Sequence, residues 1–175
     1  FLGHREPNSS VNTKQFMPGR RVLEASDAKK MNRLYSVESD LTITGGVADH
    51  RLRLSSCKIE AFSALFLSKL LEFTGSKDKQ LFEHLVTLSE GLEDHDEWAS
   101  ECAKDLLEKP NSSVVVAGSH LPSTVHLLTF KINQVLGNKE SCQKYINTES
   151  LFGNLNSFCD SVTAKKFDTI VFIGG

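Results

Sequence analysis

The chain has no grouped cysteines, no long apolar run and no excess of either charge. Its four cysteines, Cys57, Cys102, Cys142 and Cys159, lie too far apart for a C-x-x-C pair. That excludes the usual iron–sulfur and zinc ligand spacings, and all four read as free thiols. The longest apolar stretch, Ala61–Leu67, contains Ser63 and is far too short to span a bilayer. No secretory signal pattern is present in the residues given. A net charge of −2 offers no nucleic-acid surface and no direct membrane insertion driven by charge. Catalytic signatures are missing too. There is no G-x-S-x-G elbow, no H-E-x-x-H, no S-x-x-K with partners, no Walker A loop and no full G-x-G-x-x-G.

What is there is ordinary soluble-domain material: 175 residues, 39% apolar and 24% charged, long enough for a real core. Residues 1–30 are polar, broken by Pro7, Pro18 and Gly19, and carry the basic pairs Arg20-Arg21 and Lys29-Lys30. They read as an extended arm. Residues 31–175 read as one α/β domain. The last apolar run stops at Gly174-Gly175, where a strand's loop should begin, so the expectation is of a piece cut from a longer protein.

Hydrophobic periodicity sets out the elements. Ile59, Phe62, Phe66, Leu70 and Phe73 recur at helical spacing, with Leu65 and Leu67 widening the stripe. This predicts a helix over 58–73, stopped by Gly75. A second helix spans 78–90, with Leu81, Leu85, Leu88 and Leu92 on one face and Gly91 as its stop. A third is expected to be capped by Asp94 with Glu97 in capping-box spacing, aligning Trp98, Cys102 and Leu106 before Pro110. Pro122 opens a fourth, with Val125, Leu128, Ile132 and Val135 inward and Gly137-Asn138 as its end. Residues 151–163 read as loop plus a weak helix.

The runs 33–38, 113–117 and 169–173 read as strands, with 144–147 as a short candidate. Val114-Val115-Val116-Ala117 and Ile170-Val171-Phe172-Ile173 are continuous apolar runs of the kind buried on both faces of a parallel sheet. Strands alternating with helices then predict a three-layer, mostly parallel Rossmann-like sheet with helices on both faces.

Ligands of open α/β sheets gather beyond the carboxyl ends of the strands. That points to the stretch 31–56, where a short strand meets Glu38, a Thr/Gly-rich turn (Thr42, Thr44, Gly45, Gly46) and an Asp49-His50-Arg51 cluster with Arg53. Glu38 has the position of a strand-end acid that accepts hydrogen bonds from a ribose. Gly45, Gly118 and Gly174 leave room for a phosphate beside the backbone. The candidate binding set is Glu38, Thr44, Gly45, Arg51, Gly118, Ser119 and Gly174. Against it stands the plainer reading, a strand followed by a solvated polar loop. Asp49 and Arg51 are expected to form a local ion pair, and His50 with His120 is a minor metal-pair candidate. No catalytic residue is assigned.

Three stretches carry a family resemblance: Gly19-Arg20-Arg21, Met31-Asn32-Arg33-Leu34-Tyr35, and the run Thr44–Leu54 containing Gly45-Gly46-Val47-Ala48-Asp49-His50-Arg51. Together they closely resemble the large iron–sulfur subunit of alternative complex III, a bacterial quinol:electron-acceptor oxidoreductase. That subunit is similar to molybdopterin oxidoreductases of the dimethyl-sulfoxide-reductase type. Val114–Asn138 looks like the family's strand-Gly-loop-helix unit ending in Leu-Gly-Asn. Phe167–Gly175 looks like the strand that leads into its Gly-Asn-Pro turn.

The resemblance implies a domain of a respiratory electron-transfer subunit, peripheral to the bacterial cytoplasmic membrane on its outer, periplasmic face. It also implies partners: the other subunits of a membrane-bound complex and the iron–sulfur domain of the same parent chain. The clusters are expected elsewhere in the parent, in a ferredoxin-like portion whose cysteine motifs are absent here. In the wider family the loops after such strands bind a pterin dinucleotide, whereas in the alternative-complex subunit this domain is thought to have lost molybdopterin. Two readings follow. The chain is either a scaffold without its own redox centre, inactive alone, or the pterin-dinucleotide-binding domain of a true molybdoenzyme.

Overall fold

A computed structural model describes residues 1–3, 8–76, 78–138, 155–169 and 171. The chain divides into two compact units, Phe1–Gln143 and Lys144–Gly175. In the first unit the helices are α1 (Ser9–Phe16), α2 (Ile43–Gly46), α3 (Ile59–Phe73), α4 (Lys79–Leu88), α5 (Asp96–Leu107) and α6 (Ser123–Val135), and the strands are β1 (Tyr35–Glu38) and β2 (His50–Arg53). The second unit contains α7 (Leu155–Thr163).

Helix α3 is the hub of the first unit, packing against α4, α5 and α6. Its residues are mostly Leu, Phe and Ala, which lose little rotamer freedom or fill the tightest contacts. Ala64, Leu67 and Leu70 are sealed from solvent, and Phe62, Leu65 and Phe66 nearly so. Phe73, expected on the same stripe, lies exposed at the helix end. Gly75 takes a positive φ of 65°, and Ser76 N–H reaches back to the Leu71 carbonyl at 3.0 Å. This left-handed turn ends the helix. Helix α4 is capped by Asp78, whose Oδ1 accepts from Leu81 N–H at 3.0 Å.

Helix α5 departs from expectation at its start. A 3-10 turn occupies Glu93–His95, the helix begins at Asp96, and its N-cap residue is His95 without a side-chain bond. The Asp94–Glu97 capping box is therefore not formed. Glu93 instead accepts from Gly91 N–H at 3.0 Å, which ties the turn to the preceding stop. Along α5, Ala99, Cys102 and Ala103 are buried. These small side chains permit close approach to the hub, and burial pushes the Cys102 thiol well above its usual range.

The sheet is smaller than the sequence suggests. The structure is mostly helical, with one two-stranded parallel sheet, β1 against β2, in the register Tyr35↔His50, Ser36↔Arg51, Val37↔Leu52 and Glu38↔Arg53. Residues 39–49 form the crossover, near the shortest a parallel pair permits. The described residues do not form a three-layer Rossmann-like sheet. The run 113–117 is extended but pairs with no strand among them. Asn133, wholly buried on α6, takes its place beside Val115, with Oδ1 accepting from Val115 N–H at 2.9 Å and Nδ2 donating to Val115 C=O at 2.7 Å. Asn138 Nδ2 donates likewise to the Ser113 carbonyl. Two carboxamides thus satisfy backbone groups that a neighbouring strand would otherwise take. Of the run 169–173 only Thr169 and Val171 are described, and 144–147 lies outside the described residues.

The arm is not extended. It contains α1 and 3-10 turns at Met17–Arg20 and Asp27–Lys30. Phe1 packs edge-on against Phe16 with ring centroids 5.7 Å apart, and Leu2 is buried, its N–H donating to Thr44 Oγ1 at 3.0 Å. In the second unit α7 lies within the segment expected to hold a weak helix, and Phe158 stacks with Phe167 at 6.4 Å. Among the described residues no helix is long and apolar enough to cross a membrane.

Candidate functional site

The site is built at the carboxyl end of β1. Glu38 is the last residue of that strand, and Thr42 caps α2 by accepting from Gly45 N–H at 3.2 Å. The Glu38 carboxylate turns into this crossover. Its Oε2 accepts from Thr42 Oγ1 at 2.6 Å, and its Oε1 accepts from Thr42 N–H at 3.3 Å and from Arg51 Nε at 2.6 Å. Burial alone would raise its pKa, but the Arg51 and Thr42 hydrogen bonds outweigh it and hold the carboxyl below its ordinary range. The same carboxylate lies directly over the Gly45 Cα, leaving no space for a side chain there.

A second carboxylate is held the same way. Arg20 grips Asp49 with two parallel bonds, Nη1 to Oδ2 at 2.7 Å and Nη2 to Oδ1 at 2.8 Å, and Leu34 N–H also donates to Oδ2 at 2.8 Å. Arg20 further donates to the carbonyls of Asn32 at 2.6 Å and Val47 at 3.3 Å. The Arg20 bonds hold the Asp49 carboxyl below its ordinary range, and Asp49 raises the guanidinium pKa in return. The Asp49–Arg51 pair expected from proximity in sequence is not made. Asp49 goes to Arg20 in the arm, and Arg51 goes to Glu38.

On the other side of β1, the His50 ring stacks on Tyr35 with centroids 4.7 Å apart, and Tyr35 also meets Trp98 edge-on at 5.7 Å. Tyr35 Oη donates to Asp105 Oδ2 at 2.9 Å, and Arg33 pairs with Asp105 Oδ1 at 2.6 Å. Burial, then the Asp105 bond, pushes the Tyr35 phenol well above its usual range. This network ties β1 to α5.

The structure thus brings Glu38, Gly45 and Arg51 together, with Thr44 beside them in α2. Gly118 and Ser119 follow the extended run 113–117 in a turn, where Leu121 N–H donates to the Gly118 carbonyl at 3.0 Å. No strand pairing joins that turn to β1. Gly174 lies outside the described residues. His120 is exposed in the same turn, and among the described residues no group of three or more His, Cys, Asp or Glu is placed to hold a metal ion.

Sequence reasoning missed Arg20, which was placed in the arm, and it missed Asp105 and Asn133. The one available signal for Arg20 was its position in the Gly19-Arg20-Arg21 stretch of the resemblance. Asn133 lies off the stripe Val125, Leu128, Ile132 and Val135, and nothing in the sequence pattern marks it. Comparisons of this chain with protein-family models, with curated proteins and with solved structures gave no match.

Proposed function

We propose that the chain is a scaffold domain of an electron-transfer oxidoreductase subunit of the alternative-complex-III type, holding its neighbours without a redox centre of its own. The observation that supports this over cofactor binding is the closure of the strand-edge site on itself. Each acid has an arginine, Glu38 with Arg51 and Asp49 with Arg20, so neither pair presents net charge to a ligand. The Glu38 carboxylate fills the space over Gly45 that a phosphate would need. A dinucleotide entering here must first break bonds of 2.6 Å to Arg51 and Thr42.

In this reading the iron–sulfur clusters sit in another part of the parent, and the partners are that part and the other subunits of a membrane-bound complex on the outer face of the cytoplasmic membrane. The two-stranded parallel sheet is then part of a three-layer, Rossmann-like sheet of the parent protein. Calorimetry with GMP, GDP and a pterin dinucleotide tests the site. The expectation is affinity no better than about millimolar, because a few neutral hydrogen bonds of about 1 kcal/mol each do not offset the cost of ordering the ligand. A micromolar dissociation constant weakened by Glu38→Ala, in a variant still folded by circular dichroism, overturns the scaffold in favour of the pterin-binding domain. Membership in the complex has its own test. The tagged protein should co-fractionate with membrane quinol-oxidising activity, and its separation from that activity refutes the assignment.

A further inference from the structure

The charges of this chain are sorted along it. Residues 1–58 carry ten Lys and Arg against six Asp and Glu, and residues 59–108 carry four against twelve. The acidic half contains a cavity of about 240 Å³ between α3, α4 and the start of α5. Its floor is apolar, made by Leu65, Phe82, Val86 and Leu92. Its rim is acidic, made by Glu72, Glu90, Glu93 and Asp96, with Lys69 as the single cation, already paired with Asp96 at 2.7 Å. Phe82 and Glu72 also wall a second open cavity of about 430 Å³, so the groove extends along α4.

The basic half carries an exposed apolar turn. The turn after Arg20 projects Leu23, 72% exposed, beside half-exposed Val22. Asp27 Oδ2 holds this turn by accepting from the N–H groups of Leu23 and Glu24 at 3.2 and 3.1 Å. Arg21 precedes the turn and Lys29 and Lys30 follow it, all three exposed, while exposed Glu24 adjoins Leu23 and Asp27 is half-buried within the turn. An exposed apolar tip on a segment with net positive charge is matched in sign by an apolar hole with a mainly acidic rim. Its exposure means that Leu23 is not held by its own copy's groove. We propose that the α3–α4 groove receives the Leu23 turn of a second copy, giving a head-to-tail association. The two faces differ, so this contact closes into a ring or runs on as a filament according to its rotation. The inference does not depend on the scaffold reading.

Sedimentation of the full chain across concentration tests it. The expected result is reversible self-association at low salt that weakens about tenfold or more as ionic strength rises from about 0.05 to 0.3 M, since rim charges are screened beyond a Debye length of about 10 Å. Leu23→Ser, at a site where folding is not at stake, should leave a monomer. So should each charge reversal alone, Glu90→Lys with Glu93→Lys in the groove or Lys29→Glu with Lys30→Glu at the turn. Mixing those two reversed proteins should restore association, because the cationic turn of the first meets the unchanged acidic groove of the second, and the acidic turn of the second meets the cationic groove of the first. A single chain carrying both reversals regains association. A monomer at every concentration in low salt overturns the proposal, as does unchanged association of Leu23→Ser or failure of the doubly reversed chain to associate.

Discussion

Removing the Asn133 carboxamide is the sharpest test of how this domain holds an unpaired extended segment. Asn133 is 0% exposed and bonds both backbone groups of Val115, at 2.9 and 2.7 Å. Asn133→Ala deletes two hydrogen bonds worth about 1 kcal/mol each net, and it leaves an N–H and a C=O half-shielded from water, at a further cost of about 1–2 kcal/mol. The expected loss is about 3–4 kcal/mol, large against a typical total of about 5–15. With an m-value of about 2 kcal/mol per molar, the urea midpoint should fall by about 1.5–2 M, read by circular dichroism and by the fluorescence of the single Trp98. Asn133→Asp separates hydrogen bonding from packing. A protonated carboxyl accepts from Val115 N–H and donates to Val115 C=O, as the amide does, whereas a carboxylate repels that carbonyl in a buried place. The folded pKa of the introduced group is therefore raised, so its stability is present below the unfolded value of about 4 and lost as pH rises through the folded one. Compared with wild type at each pH, the variant should be near normal at acid pH and strongly weakened at pH 7. A loss under about 1 kcal/mol for Asn133→Ala, or a pH-independent loss for Asn133→Asp, refutes the account.

Other outcomes follow from the same structure. Phe66→Ala, at a nearly sealed position on the hub helix, should cost about 3–5 kcal/mol in urea unfolding, and a cost under about 1 would mean that α3 is not the core. Arg20→Ala should cost about 1–2 kcal/mol and raise amide exchange in Leu34 and in the arm, because the bidentate pair and two carbonyl bonds go together. Gly45→Ala should displace the Glu38 carboxylate and cost about 1–2 kcal/mol, and in a Glu38→Ala background the same change should cost less, as a double-mutant cycle would show. Glu38 and Asp49 both have lowered pKa values, so the stability they supply is present above the unfolded values near about 4 and is lost as pH falls through the folded ones. Acid unfolding below about pH 4 should be shallower in Glu38→Gln and Asp49→Asn than in wild type.

Helix α3 was legible because its apolar period is long and unbroken, and a stripe of that width can only be buried. The bounds of α4 and α6 were legible for local reasons, Pro122 as the opener of α6 and Gly91 and Gly137 as stops. Strand β2 was not. Its sequence, His50-Arg51-Leu52-Arg53, has one aliphatic residue in four, and the stability of the pair comes from Tyr35 against His50 and Val37 against Leu52 across the register, which no single segment displays. The run 113–117 shows the opposite failure. Its composition is that of a central strand, yet its hydrogen bonds among the described residues go to side-chain amides eighteen and twenty-five positions away.

The strand-edge site shows why ion pairs cannot be assigned from residues read in sequence order. Glu38, Asp49 and Arg51 suggest a ligand site or a local ion pair when read along the chain. In three dimensions Ser36 and Glu38 share a face of β1, and the register puts Arg51 and Arg53 opposite them, so the Glu38 side chain reaches back diagonally to Arg51. Asp49, one residue before β2, is left facing the arm, where Arg20 arrives from twenty-nine positions away. Once both arginines are committed, the polar residues at the end of β1 are accounted for by the structure of the crossover itself. A parallel pair joined by so short a connection needs its crossover pinned at both ends, and Glu38 at one end and Asp49 at the other do that. The carboxylate that sequence logic offers to a ribose is used here to hold α2 against its own strand.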